Sequence, residues 1–280
     1  MARRAVLSLT SRFCLPEQGM TTLDYLSSGS AVVVRDTLNG LQGSSLSIVT
    51  CQHVACPWLF PHYFTATWDW LQFVNENHVR YSLQLLALNS ESATPAILLD
   101  LPLASQLHTH ESKDLALLTL ADPSGLERWQ WAEKAFGVRA LGLETAPCAQ
   151  GDKVVFTGHT RKDDEGYQLP KTVGGHFVGR SNGGQAFASS DEVLEEGMCG
   201  GAVIRASTDE CVGIVEGIVP VSVGNEEAPP RQDREAHATW QMRQALAGYV
   251  AFIPSSNVKE LIDRPSNLLV TGMDVPSHLC

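Results

Sequence analysis

A cysteine within a glycine-rich turn has the setting of a reactive group. Cys199 lies in the sequence Gly197-Met198-Cys199-Gly200-Gly201, directly before an apolar segment that favours a β-strand. Glycines permit a tight turn that presents the thiol and leaves main-chain N–H groups directed outward beside it. Such a turn suits a nucleophile with an oxyanion hole. The same residues could also form a β-turn with an incidental buried thiol, because free cysteine often behaves as a small hydrophobic residue.

A histidine and an aspartate could complete this chemistry. His53 follows a β-prone stretch at 47–50, where a side chain can leave a sheet and enter a cleft. Asp114 stands before the apolar stretch 115–118, where a buried carboxylate needs a partner. A histidine can accept the proton of a thiol, and a carboxylate can orient the histidine ring. Taken singly, Asp114 could equally be a strand or turn cap.

The sequences around these three residues resemble the motifs of the chymotrypsin-like peptidases. Residues 50–54 (TCQHV) resemble the histidine motif, residues 113–118 (KDLALL) the aspartate motif, and residues 197–201 (GMCGG) the Gly-x-Ser-Gly-Gly nucleophile motif. Cysteine replaces serine, as in viral 3C-type proteases. Three further segments resemble the HtrA/Deg-type protease domain: 29–34, 150–155 and 251–259. The order histidine, aspartate, nucleophile is typical of this fold among triad enzymes.

The resemblance implies an endopeptidase that hydrolyses peptide bonds through a thioester acyl-enzyme. Cys199 would be the nucleophile, His53 the base and Asp114 the orienting acid. The main-chain N–H groups of Gly197 and Cys199 would line the oxyanion hole.

Substrate-binding residues are also implied by the resemblance. They are Val193, near the base of the primary specificity pocket, and Val215, Glu216 and Gly217, in a strand that would pair with substrate. Glu216 could favour a basic substrate residue or be a solvated carboxylate at the edge of the cleft. The expected partner is a polypeptide substrate or peptide ligand, and no cofactor is expected.

Several residues depart from the family pattern. Met198 stands where secreted members have aspartate, Ala202 replaces a proline, and Gln52 replaces a small residue before the histidine. A cysteine in a serine scaffold can also be a relic. A second function therefore stays open, in which the chain is a catalytically inactive module serving as a structural or peptide-binding subunit of a larger complex.

The pattern of short apolar runs separated by turn residues predicts an all-β chain. We expect two packed six-stranded antiparallel β-barrels of the trypsin-like type, followed by a short C-terminal helix. The predicted strands are 31–34, 46–49, 65–68, 79–88, 96–99 and 115–120 in the first barrel, and 154–157, 175–178, 185–188, 201–204, 212–215 and 249–253 in the second.

These strands divide the chain into five parts. They are an N-terminal extension (1–24), the first barrel with His53 and Asp114 (25–125), a connection that could include a short helix (126–145), the second barrel with Cys199 (146–254), and the C-terminal helix and tail (255–280). Residues 225–238 are predicted to be an inserted surface loop.

Composition limits the classes of partner. The chain has 280 residues, 44% of them hydrophobic, which is enough for a sizeable core. A net charge of −11 argues against direct charge-driven binding of nucleic acid. The apolar runs are shorter than the roughly 20 residues that a membrane-spanning helix needs.

Cysteine usage suggests an intracellular protein. Seven cysteines are an odd number without framework spacing, so free thiols in a reducing compartment are expected. The set Cys51, His53, Cys56 and His62 matches no standard zinc spacing, and no metal site is predicted. Residues 1–13, with three arginines and no acid, are compatible with a mitochondrial transit peptide or with an ordinary basic N-terminus of a cytoplasmic protein.

Overall fold

The structure is a computed structural model that describes residues 3–4, 6–35, 46–63, 69–87, 95–161, 168–220 and 233–279. Its strands are β1 (Arg3–Arg4), β2 (Val6–Phe13), β3 (Asp24–Arg35), β4 (Leu46–Thr50), β5 (Val79–Ala87), β6 (Ala96–Thr109), β7 (Ala116–Leu120), β8 (Val138–Arg139), β9 (Lys153–Arg161), β10 (Gln168–Arg180), β11 (Ala186–Ser190), β12 (Ala202–Arg205), β13 (Glu210–Ile218), β14 (Val250–Pro254) and β15 (Leu268–Val270). Its α-helices are α1 (Gln52–Ala55), α2 (Pro123–Phe136), α3 (Arg234–Leu246) and α4 (Ser255–Asp263).

The first barrel is a closed ring of six antiparallel strands. Its order is β6-β5-β2-β3-β4-β7, and pairing between β6 and β7 closes the ring. β15 adds to the outside of β6. Alternate residues of the strands point inward, so that Leu7, Leu9, Leu83 and Leu101 are fully buried in its core.

The second barrel closes in the order β10-β11-β14-β13-β12-β9. Its core contains Phe156, Phe177 and Phe252, and the last two rings pack edge to face with centroids 6.1 Å apart. The predicted double barrel is therefore confirmed.

The N-terminal region differs from the prediction. Strand β2 belongs to the first barrel, where it pairs with β3 and β5, so residues 1–24 are not simply an extension before the barrel. The strand was not predicted because it contains polar residues, but its serines are buried and hydrogen-bonded. Ser11 Oγ lies 2.7 Å from Ser27 Oγ, and Ser8 Oγ donates a hydrogen bond to Gln168 of the second barrel. Cleavage after residue 13 would remove this strand, so the structure gives no support to a transit peptide.

The helices agree in part with those predicted from the sequence. α2 fulfils the expectation of a helix in the connection, beginning after an Asp122 cap that accepts a hydrogen bond from the N–H of Gly125. α4 confirms the C-terminal helix. α3 was not predicted: part of the expected loop 225–238 is helical, and residues 225–232 lie outside the described residues, as does the expected strand 65–68. None of the helices in the described ranges is long and apolar enough to cross a membrane.

Candidate active site

Pairing of β4 with β7 brings His53 to Asp114. Thr50, at the end of β4, lies opposite Ala116 at the start of β7, and His53 follows the first strand while Asp114 precedes the second. Asp114 Oδ1 accepts a hydrogen bond from the main-chain N–H of His53 (2.9 Å), and Asp114 Oδ2 lies 2.5 Å from His53 Nδ1. The carboxylate therefore fixes both the backbone and the ring of the histidine.

Cys199 reaches the same place from the second barrel. Its turn requires glycine, because Gly200 has a φ of 81° and a Cβ there would lie 2.1 Å from the carbonyl oxygen of Ser30. The turn is held by a hydrogen bond from the N–H of Gly200 to the carbonyl of Val215 (2.8 Å). Cys199 is half-buried, and its thiol helps to raise the pKa of His53.

The environment of His53 favours its protonated form. Burial alone would lower its pKa, but hydrogen bonds with Asp114 and Cys199 and their charges outweigh burial and raise the pKa of His53 to about 10. The ring is then an imidazolium at neutral pH.

The peptide bond between Glu196 and Gly197 is held in a fixed orientation by strand β9. The carbonyl of Glu196 accepts a hydrogen bond from the N–H of Arg161 (2.8 Å). The peptide is trans, so the N–H of Gly197 points the opposite way. Within the described ranges, neither this N–H nor that of Cys199 donates to a protein atom.

The implied substrate-binding residues have different environments. The carbonyl of Val215 accepts hydrogen bonds from Gly200 and from the thiol of Cys51, so it is engaged within the protein. Glu216 accepts a hydrogen bond from Gln185, and burial, followed by the charge of Asp114, raises the pKa of Glu216. A Cβ on Gly217 would meet no atom within 4 Å, so the chain is open there.

Val193 does not lie as expected. Its side chain is 78% exposed, which does not fit the base of an enclosed pocket. The segment that carries it is instead anchored by Lys171, whose Nζ lies 3.2 Å from Glu192 Oε2.

Two contributors to the site were missed by the sequence reasoning. Ser30 Oγ donates to the carbonyl of Gly197 (2.8 Å) and accepts from the N–H of His159 (2.8 Å). Tyr63 places its ring edge-on to His53 with centroids 5.2 Å apart. Ser30 lies in a motif that the resemblance had marked, whereas no sequence signal marks Tyr63.

Cys51, His53 and Asp114 together could be considered as metal ligands, since their ligand atoms lie within 4.8 Å of one another. However, the thiol of Cys51 donates a hydrogen bond to the carbonyl of Val215 (3.1 Å), and burial raises its pKa well above the ordinary value. These contacts favour a protonated thiol, which is a poor metal ligand. His53 and Asp114 are already bonded to each other.

The fold is that of the chymotrypsin-like peptidases. The chain is similar to the crystal structure of the serine endoprotease from Yersinia pestis, with 13% identity and a TM-score of 0.50 over 94% of this chain and 63% of that chain. It is also similar to the crystal structure of a thermostable serine protease from an extremophilic microorganism, with 9% identity and a TM-score of 0.50 over 91% of this chain and 94% of that chain. No model of a protein family and no curated protein matches the sequence.

Proposed function

We propose that the protein is an endopeptidase that uses Cys199 as its nucleophile. The observation that carries this proposal is the position of His53, whose Nδ1 lies 2.5 Å from Asp114 Oδ2 and whose pKa is raised by both Asp114 and Cys199. Sulfur, imidazole and carboxylate thus stand in series at the junction of the two barrels.

Each group then has a defined role. The Cys199 thiolate attacks the substrate carbonyl, and the N–H groups of Gly197 and Cys199 stabilise the resulting oxyanion. His53 donates its proton to the leaving amine, which breaks the peptide bond and leaves a thioester on Cys199. His53, now neutral, takes a proton from the water that hydrolyses the thioester. Asp114 holds the ring throughout.

Labelling with a peptide chloromethyl ketone tests this function. The wild-type protein should be alkylated at Cys199, as shown by peptide mass mapping, and His53→Ala should lose the modification. His176→Ala is the control, because His176 is an exposed histidine on β10. Wild-type protein should also cleave an unfolded polypeptide, and Cys199→Ala should not. Alkylation of Cys199 independent of His53, without cleavage, would instead favour an inactive peptide-binding module.

A further inference from the structure

We propose that the outer wall of the first barrel binds a small anionic ligand in a pocket lined by Arg12, Arg80 and Arg128. The pocket has a volume of about 740 Å³, which is within the range of about 300–1,000 Å³ typical of small-molecule sites. It lies where the outward faces of β2, β5 and β6 meet α2. None of its lining residues belongs to the candidate active site, so this inference does not depend on the proposed peptidase function.

The register of β2 and β5 points to an anion. Arg12 and Arg80 are direct partners across the two strands, and like charges directly opposite each other destabilise a sheet. Arg12 is exposed and forms no ion pair within the described ranges. Arg80 is held in place by a hydrogen bond from Nη1 to the carbonyl of Thr271 (2.7 Å). An anion between the two guanidinium groups would relieve their repulsion and accept charge-assisted hydrogen bonds from both.

The third guanidinium comes from the helix above the sheet. Arg128 on α2 donates to the main-chain carbonyl of Asp100 on β6, which fixes its position at the pocket. Among the described lining residues, Asp100 is the one acid, and its carboxylate accepts a hydrogen bond from Gln84 (3.0 Å). The lining residues that the structure describes therefore carry three positive charges and one negative charge, in a protein with a net charge of −11.

These features define the chemical class of the ligand. Arginine binds phosphate and carboxylate groups through paired N–H donors. The volume is larger than a single inorganic ion needs, and Ser82, Ser105 and Gln106 add neutral hydrogen-bonding groups to the lining. The pocket thus fits a small organic molecule that carries phosphate or carboxylate groups.

Titration calorimetry on the full chain tests the proposal, with sodium pyrophosphate and sodium citrate as probes at matched ionic strength. At least one anion should bind saturably, and the preferred anion identifies a phosphate or a carboxylate ligand. Arg12→Gln and Arg128→Gln should each weaken binding about tenfold. Arg180→Gln, which removes an exposed arginine on β10, should leave it unchanged. The absence of saturable binding, or an equal loss in all three variants, would overturn the proposal.

Thermal unfolding without an anion gives a second readout. Arg12→Gln should raise the unfolding midpoint, because it removes the repulsion from Arg80, and should also lose the further rise that the anion gives to the wild type. A lowered midpoint without anion would show that Arg12 stabilises the barrel by itself, which contradicts a role for Arg12 that depends on a ligand.

Discussion

The main-chain N–H of Ser30 donates a hydrogen bond to the carbonyl oxygen of Cys199 (3.0 Å). This bond joins β3 of the first barrel to the candidate nucleophile in the second. The hydroxyl of the same serine bridges the carbonyl of Gly197 and the N–H of His159. Ser30 therefore fixes the turn that carries Cys199 and the proposed oxyanion hole, although it has no part in the proposed chemistry itself.

Replacing Ser30 with alanine should reduce the reactivity of Cys199. The half-buried carbonyl of Gly197 and the buried N–H of His159 would lose their partner, which typically costs about 1–3 kcal/mol, and the turn would loosen. We expect the rate of Cys199 alkylation by a peptide chloromethyl ketone to fall about tenfold. Ser47→Ala is the control, because Ser47 is also buried and its hydroxyl makes no hydrogen bond within the described ranges. Equal rates in the two variants would contradict this role.

Replacing Asp114 with asparagine should lower the pKa of His53. Hydrogen bonding and charge from Asp114 help to raise that pKa to about 10, against the opposing effect of burial. The midpoint of the His53 ring titration, followed by NMR, should therefore move to lower pH in the variant. Hydrolysis should fall by up to about 10⁴, the loss known for the corresponding change in a serine triad. Asp209→Asn, at an exposed turn, should change neither quantity.

The fold and the three candidate catalytic side chains could be predicted from the sequence motifs and from the pattern of short apolar runs separated by turn residues. His53, Asp114 and Cys199 each have a local signature, and strands such as β14 consist of apolar residues. Strand β2 was not predicted because it contains serines, whose hydroxyl groups can be buried only because they form hydrogen bonds with residues distant in sequence, such as Gln168. The direction of the Gly197 N–H also could not be predicted, since a main-chain orientation depends on tertiary contacts rather than on residue type.

Met198 stands where the secreted peptidases have aspartate, and aspartate at this position should destabilise the protein. Its side chain is 1% exposed and packs in the core of the second barrel. An aspartate there would be an unpaired buried charge, which costs about 3 kcal/mol or more. We expect Met198→Asp to lower the free energy of urea unfolding by that amount. Met273→Asp, at a side chain that is 70% exposed, should change it little. Similar values for both variants would show that the Met198 site tolerates charge.

His159 should make the protein sensitive to acid. It is buried on β9, its Nδ1 has no hydrogen-bond partner within the described ranges, and burial lowers its pKa to about 4. The unfolded chain binds this proton below about pH 6.5, whereas the folded chain binds it only below about pH 4. The unfolded state holds more protons between these values, so the free energy of unfolding falls by about 3 kcal/mol as the pH drops through this range.

Urea unfolding at pH 4.5 and pH 7 measures this effect. His159→Leu removes the titrating group, so the difference in unfolding free energy between the two pH values should be smaller than in the wild type. His176→Gln, at an exposed histidine on β10, should retain the full difference. His53 affects stability in the opposite direction, because its pKa is raised in the folded protein. Above about pH 6.5 the folded chain retains a proton on His53 that the unfolded chain loses, so the free energy of unfolding falls as the pH rises there. An unchanged difference in His159→Leu would assign the acid sensitivity to carboxylates instead.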